Sequence, residues 1–256
     1  MLPIKTKVLK AEKENEKVVR LVLEAELAFA QPGQFVMVWV PGVDEKPISI
    51  AENKPTLEIC VANAGPVSEK ISKLTAGDDI YIRGPLGHGF EQKGKKWLMV
   101  GGGYGFGPLR FLARVGKDSG KSAEAILGAR TKALLMKKAC CDTCFLTNDG
   151  SEGKAGTSVD ELEARLSAKG AKYDMVFSCG PERMMEAVAK ACQKHGVPSQ
   201  LLVERYMKCG FGVCGHCAMG KWLACVDGPA IYGEEALKNP EFGKAHQDRC
   251  GCKKPL

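Results

Sequence analysis

Four cysteines lie close together near the C-terminal end of the chain. The local sequence CGFGVCGHCAMGKWLAC places Cys209, Cys214, Cys217 and Cys225 in a Cys-x4-Cys-x2-Cys-x7-Cys pattern. The first two spacings match the plant-type loop whose thiolates hold a 2Fe-2S cluster. The glycines between these cysteines allow the backbone to wrap closely around an inorganic core. The segment is therefore predicted to fold around an iron–sulfur cluster, which would make the chain a carrier of single electrons.

The chain contains twelve cysteines in total. Its N-terminus lacks the apolar core of a secretory signal, and no apolar run reaches the roughly 18 residues of a membrane span, so we expect a cytoplasmic protein without membrane segments. In that compartment, metal ligation explains a cysteine-rich chain better than a disulfide framework does. A second group could bind zinc or another cluster if its members meet in the folded chain: Cys140, Cys141, Cys144, Cys250 and Cys252.

The formal net charge of the chain is +7. The lysines are scattered along the sequence and aromatic residues make up only 7% of it, so the stacking platforms of a nucleic-acid-binding surface are lacking. We therefore expect no nucleic-acid partner. A solvated lysine surface explains the charge, and an acidic partner protein is the more specific alternative.

Residues 1–94 have the pattern of a small antiparallel β-barrel. Short alternating or β-rich runs are separated by Gly, Pro and Asn, which is typical of strands joined by tight turns. The runs are KVVRLVLEAE, GQFVMVWVP, TLEICVAN and DDIYIRGP. The segment GPVSEKISKL predicts one helix at residues 65–74, with Ser68 as its N-cap.

The pattern changes after Gly94. Over residues 95–203, apolar strand segments alternate with helical segments, including a helical stretch around Lys132 to Lys138. This alternation predicts an α/β domain with a parallel sheet that would bind a nucleotide. Residues 204–256 are predicted to form a small third module around the cysteine loop.

A glycine-rich turn, GGGYGFG at residues 101–107, follows the apolar strand WLMV. Gly101, Gly102, Gly103 and Gly105 would let the backbone approach a diphosphate or a nicotinamide closely. The helix that starts near Pro108 would present its N-terminus to negative charge. The order strand, turn, helix is the context that a dinucleotide-binding motif needs, and a tight turn without a ligand is the alternative.

A second turn of this kind, SCGPERMM, joins a strand to a helix at residues 178–185. Gly180 and Pro181 would end the strand and start the helix. Cys179 would then lie at the carboxyl edge of the sheet, where open α/β sheets bind ligands. A cysteine that is simply buried at the end of a strand is the alternative.

Three motifs in this order resemble the ferredoxin–NADP reductase superfamily: KPIS at 46–49, GGGYGFGP at 101–108 and CGPERM at 179–184. In that superfamily a flavin-binding barrel precedes a nicotinamide-binding α/β domain. The resemblance implies that the first motif holds a flavin and that the other two flank a nicotinamide.

The C-terminal segment narrows this resemblance. ERYMKCGFGVCGHC and CVDGPAI, together with TNDGSEGKAG and EFGKAHQD, resemble the electron-transfer subunits of two-subunit, NAD-linked dihydroorotate dehydrogenases. That family implies FAD, one 2Fe-2S cluster, NAD as substrate and an FMN-containing catalytic subunit as partner. It implies an oxidoreductase subunit for the oxidation of dihydroorotate to orotate in pyrimidine biosynthesis, without a general base or covalent nucleophile of its own.

The resemblance also implies roles for individual residues. The implied cluster ligands are Cys209, Cys214, Cys217 and Cys225. The implied FAD contacts are Lys46, Pro47, Ile48, Ser49, Glu58, Ile59, Cys60, Gly65 and Pro66. The residues implied to flank the nicotinamide are Gly101, Gly102, Gly103, Gly105, Cys179, Gly180 and Pro181.

The chain departs from the family pattern at three flavin positions. Lys46 stands where Arg is usual, Cys60 where Arg is frequent, and Pro66 where Thr is common. Because lysine is a compact point charge and offers a diphosphate no planar fork, a different loop could supply the positive charge.

Two alternative functions remain open from the sequence. The short spacing between Cys217 and Cys225 also resembles the flavin subunits of cytoplasmic hydrogenases and of an anaerobic sulfite reductase. An alternative from another class is a zinc-binding scaffold protein without redox activity.

Overall fold

The computed structural model describes residues 2–136, 138–139, 141–170 and 172–256. Its N-terminal strands are β1 (Ile4–Lys13), β2 (Val18–Leu23), β3 (Phe35–Val40), β4 (Asp44–Glu52), β5 (Leu57–Ala62) and β6 (Asp79–Leu86). In the described part of the chain these six strands close into a barrel in the order β1-β2-β5-β4-β3-β6, with every pair antiparallel. The predicted barrel is confirmed.

Alternating side chains fill the barrel. In β5, Leu57, Ile59 and Val61 are completely buried, and the residues between them are not. Because successive side chains of a strand point to opposite faces, this alternation puts the apolar residues inside. Strand β1 was missing from the predicted runs because its first half is rich in lysine and buries only Thr6 and Val8 there.

The helix of this part, α1 (Pro66–Ser72), begins at Pro66, and Gly65 before it is the N-cap. The prediction of Ser68 as N-cap is therefore wrong. Pro66 suits the first helical position because its fixed φ matches a helix and its missing N–H needs no partner there. Ser68 is instead buried in the first turn, where its hydroxyl accepts from the Ala64 N–H and donates to the Gly65 carbonyl, both at 3.0 Å.

The second part of the chain is an α/β unit. Its strands are β7 (Lys96–Gly102), β8 (Ser122–Ala129), β9 (Asp142–Thr147), β10 (Lys154–Ala155), β11 (Met175–Cys179) and β12 (Ser199–Leu202). Its helices are α2 (Phe106–Asp118), α3 (Ser158–Ser167) and α4 (Glu182–Lys194). Within the described residues, the strands form one parallel run in the order β10-β9-β8-β7-β11-β12, which confirms the predicted parallel sheet. No helix of the described ranges has the length and apolar character required to cross a lipid bilayer.

The predicted helical stretch around Lys132 to Lys138 is wrong. The structure has a single 3-10 turn there, Lys132–Leu134, and Lys137 lies outside the described residues. The carbonyl of Ala133 accepts from the Glu16 N–H at 3.1 Å, and that of Leu134 accepts from the Asn15 amide at 2.8 Å. Carbonyls that a helix would use internally are thus bound to the β1–β2 turn of the barrel.

The C-terminal segment contains β13 (Ala218–Met219), β14 (Trp222–Leu223), β15 (Ala230–Tyr232), α5 (Gly233–Lys238), β16 (Ala245–Gln247) and β17 (Lys253–Pro255). Strand β15 pairs antiparallel with β12 and extends the parallel sheet, and α5 packs on α4. The residues after 203 therefore contribute to the α/β unit as well as to the cysteine loop. The boundaries 1–94, 95–203 and 204–256 stay a prediction.

A buried ion network joins the barrel to the α/β unit. Arg110 of α2 donates from both terminal guanidinium nitrogens to the carboxylate of Glu14, each at 2.7 Å, and both side chains are 5% exposed. Glu14 also lies 3.1 Å from Arg20, which pairs with Glu58 at 2.7 Å. Since a buried charge is costly without its partner, this network fixes how α2 sits on the barrel.

We predict that Glu14→Gln destabilises the protein because Arg110 and Arg20 lose a shared buried counter-charge. Breaking a buried pair costs about 3–5 kcal/mol and each kcal/mol moves the midpoint by about 2–4 °C, so the Tm should fall by on the order of 10 °C. The measurement is thermal unfolding followed by circular dichroism. Glu69→Gln is the control, because Glu69 forms an exposed ion pair with Lys73. Equal Tm shifts for the two variants would contradict a stabilising role of the network.

Candidate cofactor-binding site

A cavity that we call the large cavity, because 27 of the described residues line it, lies at the seam between the barrel and the parallel sheet. It brings together most of the residues that the sequence assigned to FAD and two of those assigned to the nicotinamide. The assigned residues that line it are Lys46, Pro47, Ile48, Ser49, Cys60, Gly65, Pro66, Gly105 and Cys179. These come from β4, β5, the start of α1, the glycine-rich turn and the end of β11, which lie far apart in sequence.

Two of the residues assigned to FAD lie elsewhere. Ile59 points into the barrel core and is completely buried. Glu58 pairs with Arg20 and with Lys138 at 3.7 Å, and so belongs to the ion network between the two parts. Cys60 follows them on β5 and reaches the cavity, where burial raises the pKa of its thiol to about 12. A thiol in that state is neutral at physiological pH and acts as an apolar wall.

The two glycine-containing turns pack against each other. Gly101 pairs with Cys179 in the sheet, and a β-carbon added at Gly105 would lie 2.5 Å from the Cys179 carbonyl. A side chain at Gly105 would therefore displace the second turn. Gly103 faces open space with φ +54°, so it is required for the turn itself. Gly103 is thus needed for the turn and Gly105 for the contact between the two turns, while the close approach of these glycines to a dinucleotide stays a prediction.

A second cavity, lined by 13 of the described residues, adjoins the first and contains two further turn residues, Gly180 and Pro181. The two cavities share the walls formed by Lys46, Tyr104 and residues 204–206. The other side of the second cavity is formed by the C-terminal tail, with His246, Gln247 and Leu256. Gly101 and Gly102 line neither cavity and support the turns from behind: a β-carbon at Gly102 would collide with Met184 and Pro181.

Tyr104 and Glu204 are site residues that the sequence reasoning missed. The Tyr104 hydroxyl donates to the Glu204 carboxylate at 2.9 Å, on the wall that the two cavities share. Glu204 is exposed on the cavity wall, and desolvation by the protein around its carboxyl group raises the pKa of that group. The charge of Glu204, and after it burial, raises the pKa of the Tyr104 phenol. The pair therefore forms a hydrogen bond with a carboxyl group of raised pKa on the wall between the two cavities.

A signal for both residues was present in the sequence. Tyr104 is the polar residue inside the glycine-rich turn, and Glu204 follows β12 after one residue. Ligands bind outside the carboxyl ends of parallel strands, so the residues that follow each strand are candidates for a binding site.

The predicted cluster cysteines lie on one loop against the outer wall of the barrel. Cys217 and Cys225 are buried with their sulfurs 3.2 Å apart, Cys209 is half-buried and Cys214 is exposed. The Arg83 guanidinium donates to the Cys209 carbonyl at 2.7 Å and ties the loop to β6. The four sulfurs therefore run from the protein interior to its surface.

Backbone N–H groups of this loop point at the sulfurs. Gly212 donates to Cys225 at 3.2 Å, and Cys214 donates to Cys209 at 3.4 Å. Burial alone would raise the pKa of the Cys209 thiol, but N–H groups of the next few residues outweigh it and lower the pKa to about 6. Soft thiolates that accept N–H bonds are the donors that an iron–sulfur cluster uses, so the residues present fit such a group.

The cysteine loop and the large cavity share a wall. One apolar cluster contains Phe35, Met37, Met207, Cys217, Ala224 and Cys225. Phe35 and Met207 also line the cavity. Side chains of the same cluster thus face the cavity and contact two of the predicted cluster ligands.

The second cysteine group does not assemble in the described residues. Cys144 lies within β9 beside Ile126, whereas Cys250 and Cys252 lie in the turn between β16 and β17. Cys140 lies outside the described residues. Among the residues that the structure describes, no three His, Cys, Asp or Glu side chains converge as a single metal ion would need, and this includes the cysteine loop, where Cys217 and Cys225 are the pair in sulfur–sulfur contact.

We predict a pH-dependent stability effect for Glu204→Gln. Because the pKa of Glu204 is raised above its ordinary value of 4.5, the folded chain keeps a proton that the unfolded chain loses, and this contribution to stability is fully present below about pH 4.5 and lost as the pH rises through the raised pKa. The variant should match the parent in Tm below about pH 4.5 and exceed it by a growing margin as the pH rises through the raised pKa of Glu204. The Tyr104 hydrogen bond lowers the pKa of Glu204, so this pKa should rise further in Tyr104→Phe. The Tm of Tyr104→Phe, which keeps Glu204, should therefore fall more between acid and neutral pH than the Tm of the parent does. A Tm offset of Glu204→Gln that is the same at every pH would contradict the assignment.

Comparison with known proteins places the chain in a family. Residues 204–237 match the family described as "Iron-sulfur cluster binding domain of dihydroorotate dehydrogenase B". A protein of Pyrococcus furiosus, named "Probable dihydroorotate dehydrogenase B (NAD(+)), electron transfer subunit", is 40% identical over 94% of this chain and 94% of its own length.

Solved structures share the fold of this chain. One from a study of flavin-based electron bifurcation by the NADH-dependent reduced ferredoxin-NADP oxidoreductase has a TM-score of 0.81 and 28% identity, and covers 92% of each chain. A ferredoxin NADP+ reductase from Neisseria gonorrhoeae, with bound FAD and NADP, shares the fold at a TM-score of 0.61 and 17% identity, over 77% of this chain and 92% of its own. Because the Pyrococcus relative is similar over nearly the whole length, the chain belongs to the family of dihydroorotate dehydrogenase B (NAD(+)) electron transfer subunits.

Proposed function

We propose that this chain is the electron-transfer subunit of a two-subunit dihydroorotate dehydrogenase. It passes electrons between an FMN-containing catalytic subunit, which oxidises dihydroorotate to orotate, and NAD. The cofactors of this chain are FAD and one 2Fe-2S cluster. The place of this reaction is pyrimidine biosynthesis in the cytoplasm.

The shared wall between the large cavity and the cysteine loop is the observation that carries this proposal. Phe35 and Met207 face the cavity and belong to the same apolar cluster as Cys217 and Cys225. A flavin exchanges two electrons with a nicotinamide and single electrons with an iron–sulfur cluster, so it must lie between them. The order second cavity, large cavity, cysteine loop matches that requirement.

The chain's own residues position these groups. Lys46, Pro47, Ile48 and Ser49 on β4 and Gly65 and Pro66 at the start of α1 hold the flavin in the large cavity, with Cys60 as part of the wall. Gly105 and Cys179 keep the two turns in contact, and Gly180 and Pro181 face the nicotinamide in the second cavity. Tyr104 donates a hydrogen bond to Glu204 on the wall that the two cavities share.

The cysteine loop also provides the contact with the partner. Cys214 is exposed, and it is flanked by two exposed apolar side chains, Phe211 (60% exposed) and Val213 (77%). Apolar side chains at a surface favour burial against another protein. The FMN-containing subunit would cover this loop and exclude water from the cluster.

The relatives favour this function over the two alternatives. The Pyrococcus furiosus protein, and a Methanocaldococcus jannaschii protein that is 36% identical over 98% of both chains, carry the dihydroorotate name. Hydrogenase or sulfite reductase coupling would use the same cofactors with another partner. A zinc-binding scaffold protein without redox activity does not require a cavity lined by the flavin and nicotinamide motifs.

We predict that Cys214→Ser separates the two half-reactions. Electron transfer to the catalytic subunit should fall to background because a cluster ligand is lost, while flavin reduction by NADH continues at the parent rate. Both rates are measured anaerobically by stopped-flow absorbance with the purified subunits. Cys252→Ser is the matched control, since Cys252 is an exposed thiol outside the cysteine loop, and it should leave both rates unchanged. Survival of both activities in Cys214→Ser would overturn the cluster assignment.

Capture of the tagged chain from its native host under anaerobic conditions tests the choice of partner. We expect a dihydroorotate dehydrogenase catalytic subunit, identified by mass spectrometry. A hydrogenase or sulfite reductase subunit would contradict the proposed reaction.

A further inference from the structure

The C-terminal hairpin adds a positive charge to the large cavity. Strands β16 and β17 pair from Ala245 with Pro255 to Gln247 with Lys253. The turn between them carries Arg249, whose side chain lines the large cavity. None of the motifs recognised in the sequence includes this residue.

Internal hydrogen bonds order the turn that carries Arg249. The Asp248 carboxylate accepts from the N–H groups of Cys250 at 2.8 Å and Cys252 at 2.9 Å, and the Asp248 N–H donates to the Cys252 carbonyl at 2.9 Å. Gly251 adopts φ +80°, which a turn this tight requires. The guanidinium of Arg249 is therefore carried by an ordered turn.

The base of the hairpin is fixed to the α/β unit. The Arg183 guanidinium of α4 donates to the Leu256 carbonyl at 2.7 Å, and the Leu256 N–H donates to the Lys244 carbonyl at 3.0 Å. Lys253 forms an ion pair with Glu241. These contacts hold the hairpin beside both cavities.

Arg249 and Lys46 are the cations that an anion in the large cavity could use. A third cation on its wall, Arg205, is already neutralised, because its buried side chain forms an ion pair with Glu182. Lys46 has no ion-pair partner among the described residues. The Arg249 side chain is 75% exposed and lies 3.8 Å from Asp44. Exposed ion pairs of this kind contribute little to stability, so a more highly charged anion can replace Asp44 as the partner of Arg249.

The carboxylates on the same wall leave room for such an anion. Glu45 is bound by the Arg83 guanidinium at 2.9 Å, and Glu204 accepts from Tyr104 on the wall toward the second cavity. Asp44 remains as the carboxylate that an anion must displace from Arg249.

We propose that Arg249 binds the diphosphate of FAD and supplies the planar guanidinium that Lys46 cannot offer. This inference rests on the proposed function, because it takes FAD as the occupant of the large cavity. A guanidinium forms two parallel hydrogen bonds to phosphate oxygens, whereas an ammonium acts as a point charge. The C-terminal hairpin is then part of the flavin site as well as a wall of the second cavity.

FAD is favoured over NAD as the source of the diphosphate. Arg249 lines the cavity that contains the β4 motif and the start of α1. The second cavity, with Gly180 and Pro181, meets the hairpin through His246, Gln247 and Leu256 instead.

The test compares flavin affinities of full-length variants. FAD and riboflavin, which has no phosphate, are titrated into the flavin-depleted protein, and binding is followed by flavin fluorescence. Losing a charged hydrogen-bond partner should weaken FAD binding by Arg249→Ala about tenfold or more and leave riboflavin binding unchanged. Arg249→Lys should fall between Arg249→Ala and the parent. Lys254→Ala removes the same charge from the same hairpin without touching either cavity, and it should bind FAD like the parent.

Three results would overturn the proposal. Parent-like FAD affinity of Arg249→Ala is the first, and an equal loss of FAD and riboflavin affinity, which indicates a purely structural role, is the second. The third is that Arg249→Ala binds FAD like the parent but, once loaded with FAD, binds NADH more weakly. That result would assign Arg249 to the diphosphate of NADH. Failure of the parent protein itself to bind FAD would instead refute the proposed function, so the two failures are distinguishable.

Discussion

The contact between the barrel and α2 sets the position of both cavities, because both are lined by residues of the barrel and of the α/β unit. Glu14 and Arg110 bridge the seam with two hydrogen bonds in a place that water does not reach. Phe111 of the same helix belongs to the apolar core of the barrel. A shift of α2 on the barrel would separate the β4 motif from the glycine-rich turn, and the cavity would lose one of its two sides.

The same seam explains how three redox groups can be arranged in a line. The cavities lie next to each other and share Tyr104 and Glu204, and the cavity with the flavin motif contacts the cysteine loop through Phe35 and Met207. The loop in turn reaches the surface at Cys214. The fold therefore leads from the second cavity through the large cavity to an exposed sulfur, with apolar packing between the large cavity and the cysteine loop. This order suits the proposed electron transfer.

Local patterns in the sequence were sufficient for the architecture, and together with the family resemblance they identified nine of the residues that line the large cavity. Alternation in β5 and the glycine and proline turns depend on neighbouring residues, so they could be predicted. The pairing of Tyr104 with Glu204, and the position of Arg249 at the cavity, depend on chain segments about 100 residues or more apart that meet only in the folded state. The wrong helix prediction at Lys132–Lys138 also results from long-range contacts, because residues of the barrel donate hydrogen bonds to carbonyl groups of this segment.

The most direct test of the proposed electron path is an anaerobic NADH titration of the purified subunit, followed by flavin absorbance and low-temperature electron paramagnetic resonance. We expect NADH to bleach the flavin and to produce the signal of one reduced 2Fe-2S cluster per chain. We also expect flavin-depleted protein to give no such signal until FAD is added back. A protein that contains zinc in place of iron, or a cluster that NADH reduces equally well without FAD, would contradict it.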